Sequence, residues 1–114
     1  MRWTTATVRS RGEDIYYEVT EPDHHAGSIV AGGSTVVLGH GAGGSHAAWF
    51  QQVPALAAAG HRVVTWDTPG FGNSTFVTGA FAPEGIVADL VAVLDAVEVD
   101  RAHVVGQSMG GWWA

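Results

Sequence analysis

The sequence predicts an α/β protein in which an antiparallel hairpin precedes a parallel sheet. Three observations indicate this class. Short apolar runs alternate with helical stretches in the order strand–helix–strand–helix–strand, which is typical of parallel strands joined by right-handed crossovers. Glycines bound the apolar runs, and two strand-like segments rich in β-branched and aromatic residues come before them. We therefore expect one small α/β domain.

The N-terminal segments predict the hairpin. Residues 15–20 (Ile-Tyr-Tyr-Glu-Val-Thr) favour a strand because β-branched and aromatic side chains suit a pleated, half-buried surface. Residues 4–9 alternate more weakly and are expected to pair with this strand through a turn at 11–14. A polar, glycine-bearing loop is predicted over 21–33.

From residue 34 onwards the strands are continuous apolar runs, as expected of strands covered on both faces. Gly60 is expected to end the first helix, and Pro54 to kink or restart it because proline lacks a backbone N–H. Pro83 suits the first position of the second helix. The core face of that helix is expected to carry Ile86, Leu90, Val93 and Val97. The predicted strands are 34–39, 61–66 and 102–106, and the predicted helices are 46–59 and 83–97.

Composition excludes several classes of function. Of the 114 residues, 46% are hydrophobic and 14% charged, which is too apolar for intrinsic disorder. The net charge of −6, without a basic cluster, predicts no nucleic-acid partner. There is no cysteine, and no apolar run is long enough to span a bilayer or to form a signal peptide. We expect a cytoplasmic protein with no membrane partner.

A possible catalytic turn follows the last predicted strand. Gly106-Gln107-Ser108-Met109-Gly110 matches G-x-S-x-G, in which a sharp strand-to-helix turn lifts the serine hydroxyl above the sheet. Gly106 and Gly110 flank the serine because side chains there would collide with the packed turn. The Met109 amide would lie at a helix N-terminus, where the helix dipole favours an anion.

A second glycine-rich segment, His40-Gly41-Ala42-Gly43, follows the first parallel strand. Gly41 and its neighbours allow a backbone amide to approach the same point as the Met109 amide. Two such amides would form an oxyanion hole, which stabilises an acyl-transfer transition state by several kcal/mol. The segment from Asp67 to Ser74 (Asp-Thr-Pro-Gly-Phe-Gly-Asn-Ser) adds a third motif in the order typical of one family.

With these three motifs the chain resembles the α/β-hydrolase superfamily over its whole length. The resemblance implies a partial α/β-hydrolase domain over residues 1–114, the N-terminal part of that fold truncated after the serine turn. It implies that Ser108 is the nucleophile and that Ala42 and Met109 supply the oxyanion amides. The expected activity is serine hydrolysis of an ester, lactone or related carbonyl compound, with a small-molecule substrate, no cofactor and no metal. Serine at position 108 disfavours the epoxide hydrolase and haloalkane dehalogenase branches, which use aspartate there.

The rest of the catalytic triad is missing from the sequence after the serine. In the superfamily an acidic residue and then a histidine follow the nucleophile, and residues 109–114 contain neither. We therefore expect these 114 residues to be part of a longer hydrolase, to lack activity alone, to fold poorly and to expose Trp112 and Trp113. Alternatively, the chain is an inactive remnant that binds small molecules or partners.

A dinucleotide-binding unit is a further alternative. Residues 39–44 also fit G-x-G-x-x-G, and Asp67 ends the next strand about 25 positions later. Against this, a hairpin precedes the strand, the first plausible helix N-cap is Ser45, after the glycines, and the serine turn would have no role.

The histidines and Asp67 receive structural interpretations. His40 is interpreted as orienting the glycine loop, and Asp67 as capping a turn. The others are interpreted as surface, loop or strand-end residues and not as metal ligands or bases, and these are His24, His25, His46, His61 and His103. The tryptophans are interpreted as core or interface residues.

Overall fold

The structure, a computed structural model, describes residues 2–22, 34–75 and 83–114. His24 and His25, and most of the predicted 21–33 loop, lie outside the described residues. The strands form one five-stranded sheet in the order β1-β2-β4-β3-β5. They are β1 (Arg2–Ser10), β2 (Glu13–Glu21), β3 (Thr35–Gly39), β4 (Arg62–Trp66) and β5 (His103–Gly106), and the α-helices are α1 (Gln52–Ala58) and α2 (Pro83–Ala96).

The N-terminal hairpin is confirmed, and it is longer than predicted. β1 and β2 pair antiparallel from Ser10–Glu13 to Arg2–Glu21. The connection contains only Arg11 and Gly12, with φ of 50° and 78°. Positive φ at both central residues is the type I′ geometry, whose twist matches that of the flanking strands. The predicted turn at 11–14 was therefore too long, because Glu13 and Asp14 already pair with β1.

The tip of the hairpin is attached to α2 by an ion pair. Arg11 donates to Asp89 from Nη2 at 2.7 Å and from Nε at 3.1 Å, and the Ser10 hydroxyl donates to the same carboxylate at 2.6 Å. The Asp89 side chain is fully buried, whereas that of Arg11 is 29% exposed. The hydrogen bond to Asp89 raises the pKa of Arg11 above its ordinary value. The pair fixes the hairpin against the helix.

The parallel part of the sheet is also confirmed. β3 pairs parallel with both β4 and β5, and β2 joins β4 antiparallel. Gly39 is level with Trp66 on one side and with Gly106 on the other. The carboxyl ends of these three strands therefore meet at one edge, where open α/β sheets place their binding sites.

Two apolar clusters cover the faces of the sheet. On the α2 side, all four predicted core residues of the helix are buried against β2, β3 and β4. On the α1 side, Ala57 packs with Val36, Leu38 and Val63. None of the helices in the described parts of the chain is long and apolar enough to cross a membrane.

The first predicted helix is in two pieces. A 3-10 helix covers His46–Trp49, with Ser45 as the side-chain N-cap, and α1 begins only at Gln52. Pro54 is the third residue of α1, where its missing N–H removes no intrahelical bond, so it restarts the helix. Gly60, with φ of 100°, ends the helix as predicted. Its amide donates a hydrogen bond to the Ala57 carbonyl, and the His61 amide donates one to the Leu56 carbonyl.

The expectation that both C-terminal tryptophans are exposed is half wrong. Trp112 is 73% exposed, whereas Trp113 is 5% exposed and belongs to the α2-side cluster. A 3-10 helix over Ser108–Trp112 turns the chain back over the sheet and buries Trp113. Val104 and Val105, on the edge strand β5, are 36% and 42% exposed.

Candidate functional site

The serine turn after β5 has a left-handed backbone. Gln107 is extended, and Ser108 follows with φ of 55°. An L-residue in this region costs about 1–2 kcal/mol, so the surrounding structure must hold it there. Two hydrogen bonds do so, since the Gln107 amide donates to the Gly39 carbonyl and the Gly110 amide to the Gln107 carbonyl, each at 3.0 Å. Ser108 itself is exposed.

The flanking glycines have no room for side chains, as the sequence predicts. A Cβ on Gly106 would overlap the carbonyl group of Gly110. A Cβ on Gly110 would lie 2.5 Å from the Gly39 oxygen and 2.6 Å from the His40 oxygen. Since these contacts are with backbone atoms, no side-chain rotation relieves them. The turn can form only with glycine at both positions.

The glycine loop after β3 packs directly against the serine turn. The Gly44 amide donates to the Gly41 carbonyl at 3.1 Å, and Gly43 has φ of 76°, as the third residue of a type II turn requires. A Cβ on Gly41 would lie 3.3 Å from the Ser108 Cβ. No described residue accepts a hydrogen bond from the Ala42 or Met109 amide. Both amides are thus free for an anion, and their convergence on one point stays a prediction.

His40 orients the glycine loop. Its side chain is fully buried, and Nε2 accepts from the Thr68 amide at 3.1 Å. The other ring nitrogen, Nδ1, therefore carries the proton and donates to the Gly41 carbonyl at 2.7 Å. With both nitrogens engaged, His40 is a structural residue, as predicted.

Asp67 caps the turn that follows β4. Its fully buried carboxylate accepts from the Asn73 amide at 2.9 Å, and its carbonyl accepts from the Ser74 hydroxyl at 2.6 Å. A Cβ on Gly72 would overlap the carboxylate, so the turn closes tightly over it. The turn-capping interpretation of Asp67 is confirmed.

The interpretation of His46 as a surface residue was wrong. Its side chain is 18% exposed and lies between two carboxylates. Nδ1 is 3.0 and 2.9 Å from the two Asp67 oxygens, and Nε2 is 3.1 Å from Glu18 Oε2. Tyr16 donates a short hydrogen bond to the same Glu18 oxygen. Burial, together with Glu18, raises the pKa of Tyr16 from 10.0 to about 12. Of the other described histidines with that interpretation, His103 is exposed and His61, like His46, is partly buried.

Neither a catalytic base nor a metal ligand set accompanies the serine among residues 2–22, 34–75 and 83–114. No histidine there hydrogen-bonds to Ser108, and no cluster of acidic and histidine side chains in those ranges could hold a metal ion. A cavity of about 340 Å³ lies next to the serine turn, lined by Ala48, Trp49, Gln52 and Gln107. It would admit a small molecule beside the turn.

Comparison with known proteins decides the family. A family model described as the alpha/beta hydrolase fold matches residues 34–113, which include all three motifs. The chain belongs to the α/β-hydrolase family. In this α/β-hydrolase the loop after β3 leads into a 3-10 helix capped by Ser45, and not into a helix that starts within the glycines. The dinucleotide-binding alternative therefore has no structural basis.

Relatives of this α/β-hydrolase are named as hydrolases of different kinds. One is a 2-hydroxy-6-oxononadienedioate/2-hydroxy-6-oxononatrienedioate hydrolase of Paraburkholderia phymatum, 38% identical over 94% of this chain and 38% of its own length. Another is Epoxide hydrolase B of Mycobacterium tuberculosis, 44% identical over 90% of this chain and 28% of its own. The crystal structure of epoxide hydrolase A from Mycobacterium thermoresistibile superimposes with a TM-score of 0.80 at 26% identity, covering 96% of this chain and 32% of that one. The chain thus spans about a third of the length of these proteins.

Proposed function

We propose that Ser108 is the nucleophile of a serine hydrolase that acts on an ester, lactone or related carbonyl compound. One observation carries the proposal, which is the left-handed φ of Ser108 between two glycines that admit no side chain. A non-glycine residue held in a strained conformation is characteristic of functional sites. Strain on an exposed serine contributes nothing to folding, so we infer that the strain serves to present the hydroxyl.

The neighbouring amides suit the same reaction. Attack of the Ser108 oxygen on a carbonyl carbon moves an electron pair onto the carbonyl oxygen, while the serine proton passes to a base. We assign the stabilisation of that oxygen to the Ala42 and Met109 amides, which have no acceptor among the described residues. The proposal places the base outside the described residues, because none of their histidines hydrogen-bonds to Ser108 and because His40 and His46 use both ring nitrogens elsewhere.

Epoxide hydrolysis is the second candidate, favoured by the 44% identity to Epoxide hydrolase B. The family resemblance associates that reaction with a carboxylate nucleophile, and this chain has serine at the position. The relative from Paraburkholderia phymatum is named for a substrate with an oxo group, which is a carbonyl and is therefore suited to attack by serine. We therefore favour the carbonyl substrate.

A fluorophosphonate probe applied to the complete protein tests the proposal. We expect one labelled serine, Ser108, in the parent and in the matched control Ser34→Ala, and no labelling in Ser108→Ala. Labelling that persists in Ser108→Ala would refute the nucleophile. Turnover of an epoxide such as styrene oxide that survives in Ser108→Ala, without any fluorophosphonate labelling of the parent, would favour the second candidate.

A further inference from the structure

The loop that carries the Ala42 amide is held at both ends by adjacent residues of another segment. At its start, His40 Nε2 accepts from the Thr68 amide at 3.1 Å. At its end, the His46 amide donates to Asp67 Oδ1 at 2.6 Å, and the His46 ring contacts the same carboxylate. Asp67 and Thr68 directly follow β4, whose last residue is level with Gly39 of β3. Two histidines thus connect the glycine loop to the rigid end of the sheet.

The two histidines differ in what fixes their rings. His40 is fully buried, so packing restricts its ring in addition to its two hydrogen bonds. His46 is 18% exposed, and its ring is held by carboxylates on opposite sides, with Asp67 at Nδ1 and Glu18 at Nε2. An ionised carboxylate only accepts hydrogen bonds, so both contacts are hydrogen bonds at once when both ring nitrogens carry protons. Charge-assisted bonds of this kind are about twice as strong as neutral ones.

Glu18 is itself held in place from β2. The Tyr16 hydroxyl donates to the Glu18 oxygen that faces His46, and the Tyr16 and His46 rings lie 4.9 Å apart. Because the pKa of Tyr16 is raised to about 12, its hydroxyl keeps its proton and donates throughout the neutral range. Tyr16, Glu18 and Asp67 thus contact the His46 ring from β2 and from the end of β4.

We propose that His46 is a positioning residue for the oxyanion amide of Ala42, acting through Asp67, with Glu18 fixing the orientation of its ring. The effect of His46 on catalysis rests on the proposed function, because it presupposes that the Ala42 amide stabilises an oxyanion. The structural content of the proposal, that the His46 side chain holds the 41–44 turn in place, is independent of that function and is tested separately.

Hydrogen exchange of the Gly44 amide, which donates to the Gly41 carbonyl, reports on the turn and is measured in the complete protein. We expect His46→Ala to speed this exchange about tenfold, as expected when a side-chain hydrogen bond at the end of the loop is lost. The amide of Val64, in the middle of the sheet, is expected to exchange as in the parent and serves as the control. An unchanged Gly44 rate in a folded His46→Ala chain would overturn the proposal.

Two conservative variants separate the contacts of the ring. In His46→Asn the side-chain amide nitrogen takes the place of Nδ1 and keeps the bond to Asp67, whereas in His46→Gln it reaches the place of Nε2. We expect asparagine to restore slow Gly44 exchange and glutamine not to do so. The opposite result would mean that Glu18, and not Asp67, holds the loop, and would overturn the assignment. This comparison remains decisive if His46→Ala does not fold.

Kinetics of the complete protein test whether His46 affects catalysis by positioning the Ala42 amide. With an ester that the parent hydrolyses, His46→Ala is expected to lower kcat about tenfold and to leave KM unchanged, because a misplaced oxyanion amide is felt in the transition state. Restoration of kcat by His46→Asn would support the assignment, and a change in KM alone would overturn it. If Ser108 of the parent is never labelled, the proposed function fails, while the exchange data still decide whether His46 positions the loop.

Discussion

Replacing Ser108 with glycine is expected to stabilise the chain while removing the hydroxyl on which the proposed reaction depends. Ser108 has φ of 55°, a conformation that costs an L-residue about 1–2 kcal/mol. Glycine adopts it without cost, but adds backbone freedom to the unfolded chain worth about 0.4–1 kcal/mol. The difference predicts a net increase in the free energy of unfolding of about 1 kcal/mol.

Urea denaturation followed by tryptophan fluorescence measures this change, with Ser108→Ala as the matched control. Alanine keeps the Cβ and hence the strain, and loses only an exposed hydroxyl. The difference between the two variants therefore isolates the backbone contribution, provided that their m-values agree. A glycine variant that is no more stable than the alanine variant would show that the serine backbone is unstrained, and would remove the main support for Ser108 as nucleophile.

Three other predictions concern the frame around the site. Asp89→Ala removes the fully buried acceptor of the ion pair at the hairpin tip and is expected to lower the free energy of unfolding by about 3 kcal/mol. The control, Asp95→Ala on the exposed side of the same helix, should change it by about 0.5 kcal/mol or less. Equal effects in urea titrations would contradict a structural role for the pair. Gly110→Ala places a Cβ 2.5 Å from the Gly39 carbonyl oxygen and is expected to lower the free energy of unfolding by about 2 kcal/mol or more, measured by thermal unfolding. A side chain at Gly111 should cost much less, because its Cβ would lie 3.8 Å from the Gly106 oxygen. Tyr16 has a pKa of about 12 in the folded chain against an ordinary 10.0, so the unfolded chain ionises first and the free energy of unfolding should fall as the pH rises from about 10 to about 12. A slope that persists unchanged in Tyr16→Phe would show that another group causes it.

The sequence predicted those parts of the fold that depend on local patterns. The strands before Gly39 and Gly106 were correct to within a residue, because glycines bound their apolar runs. Gly60 was recognised as the end of α1 for a local reason as well. The helix end depends only on the positive φ of Gly60 and on hydrogen bonds from the Gly60 and His61 amides to carbonyls of the last turn. The serine turn was recognised because its two glycines are required by short-range contacts. Gly106 lies against Gly110, and Gly110 lies against the end of β3.

What the sequence did not reveal depends on strand pairing. His46 meets Glu18 only because β2 pairs antiparallel with β4, which places Glu18 opposite Thr65 and close to Asp67. No periodicity in either segment encodes that register, so an isolated histidine in a polar loop favoured a surface position. Trp113 was misjudged for a related reason, because its burial depends on the direction in which the last 3-10 helix leaves the sheet.

The hydrogen bond from the Gln107 amide to the Gly39 carbonyl continues the β3–β5 ladder one step beyond the last strand residue. The position of the serine turn relative to the end of β3 is therefore set by strand register, which changes only in discrete steps. A slip of one residue would move Ser108 by about 3.3 Å along the strand and reverse the face to which each β5 side chain points. Evolution of a new substrate preference on this scaffold can change the residues around the turn, whereas a change of register between β3 and β5 would displace the serine in one large step.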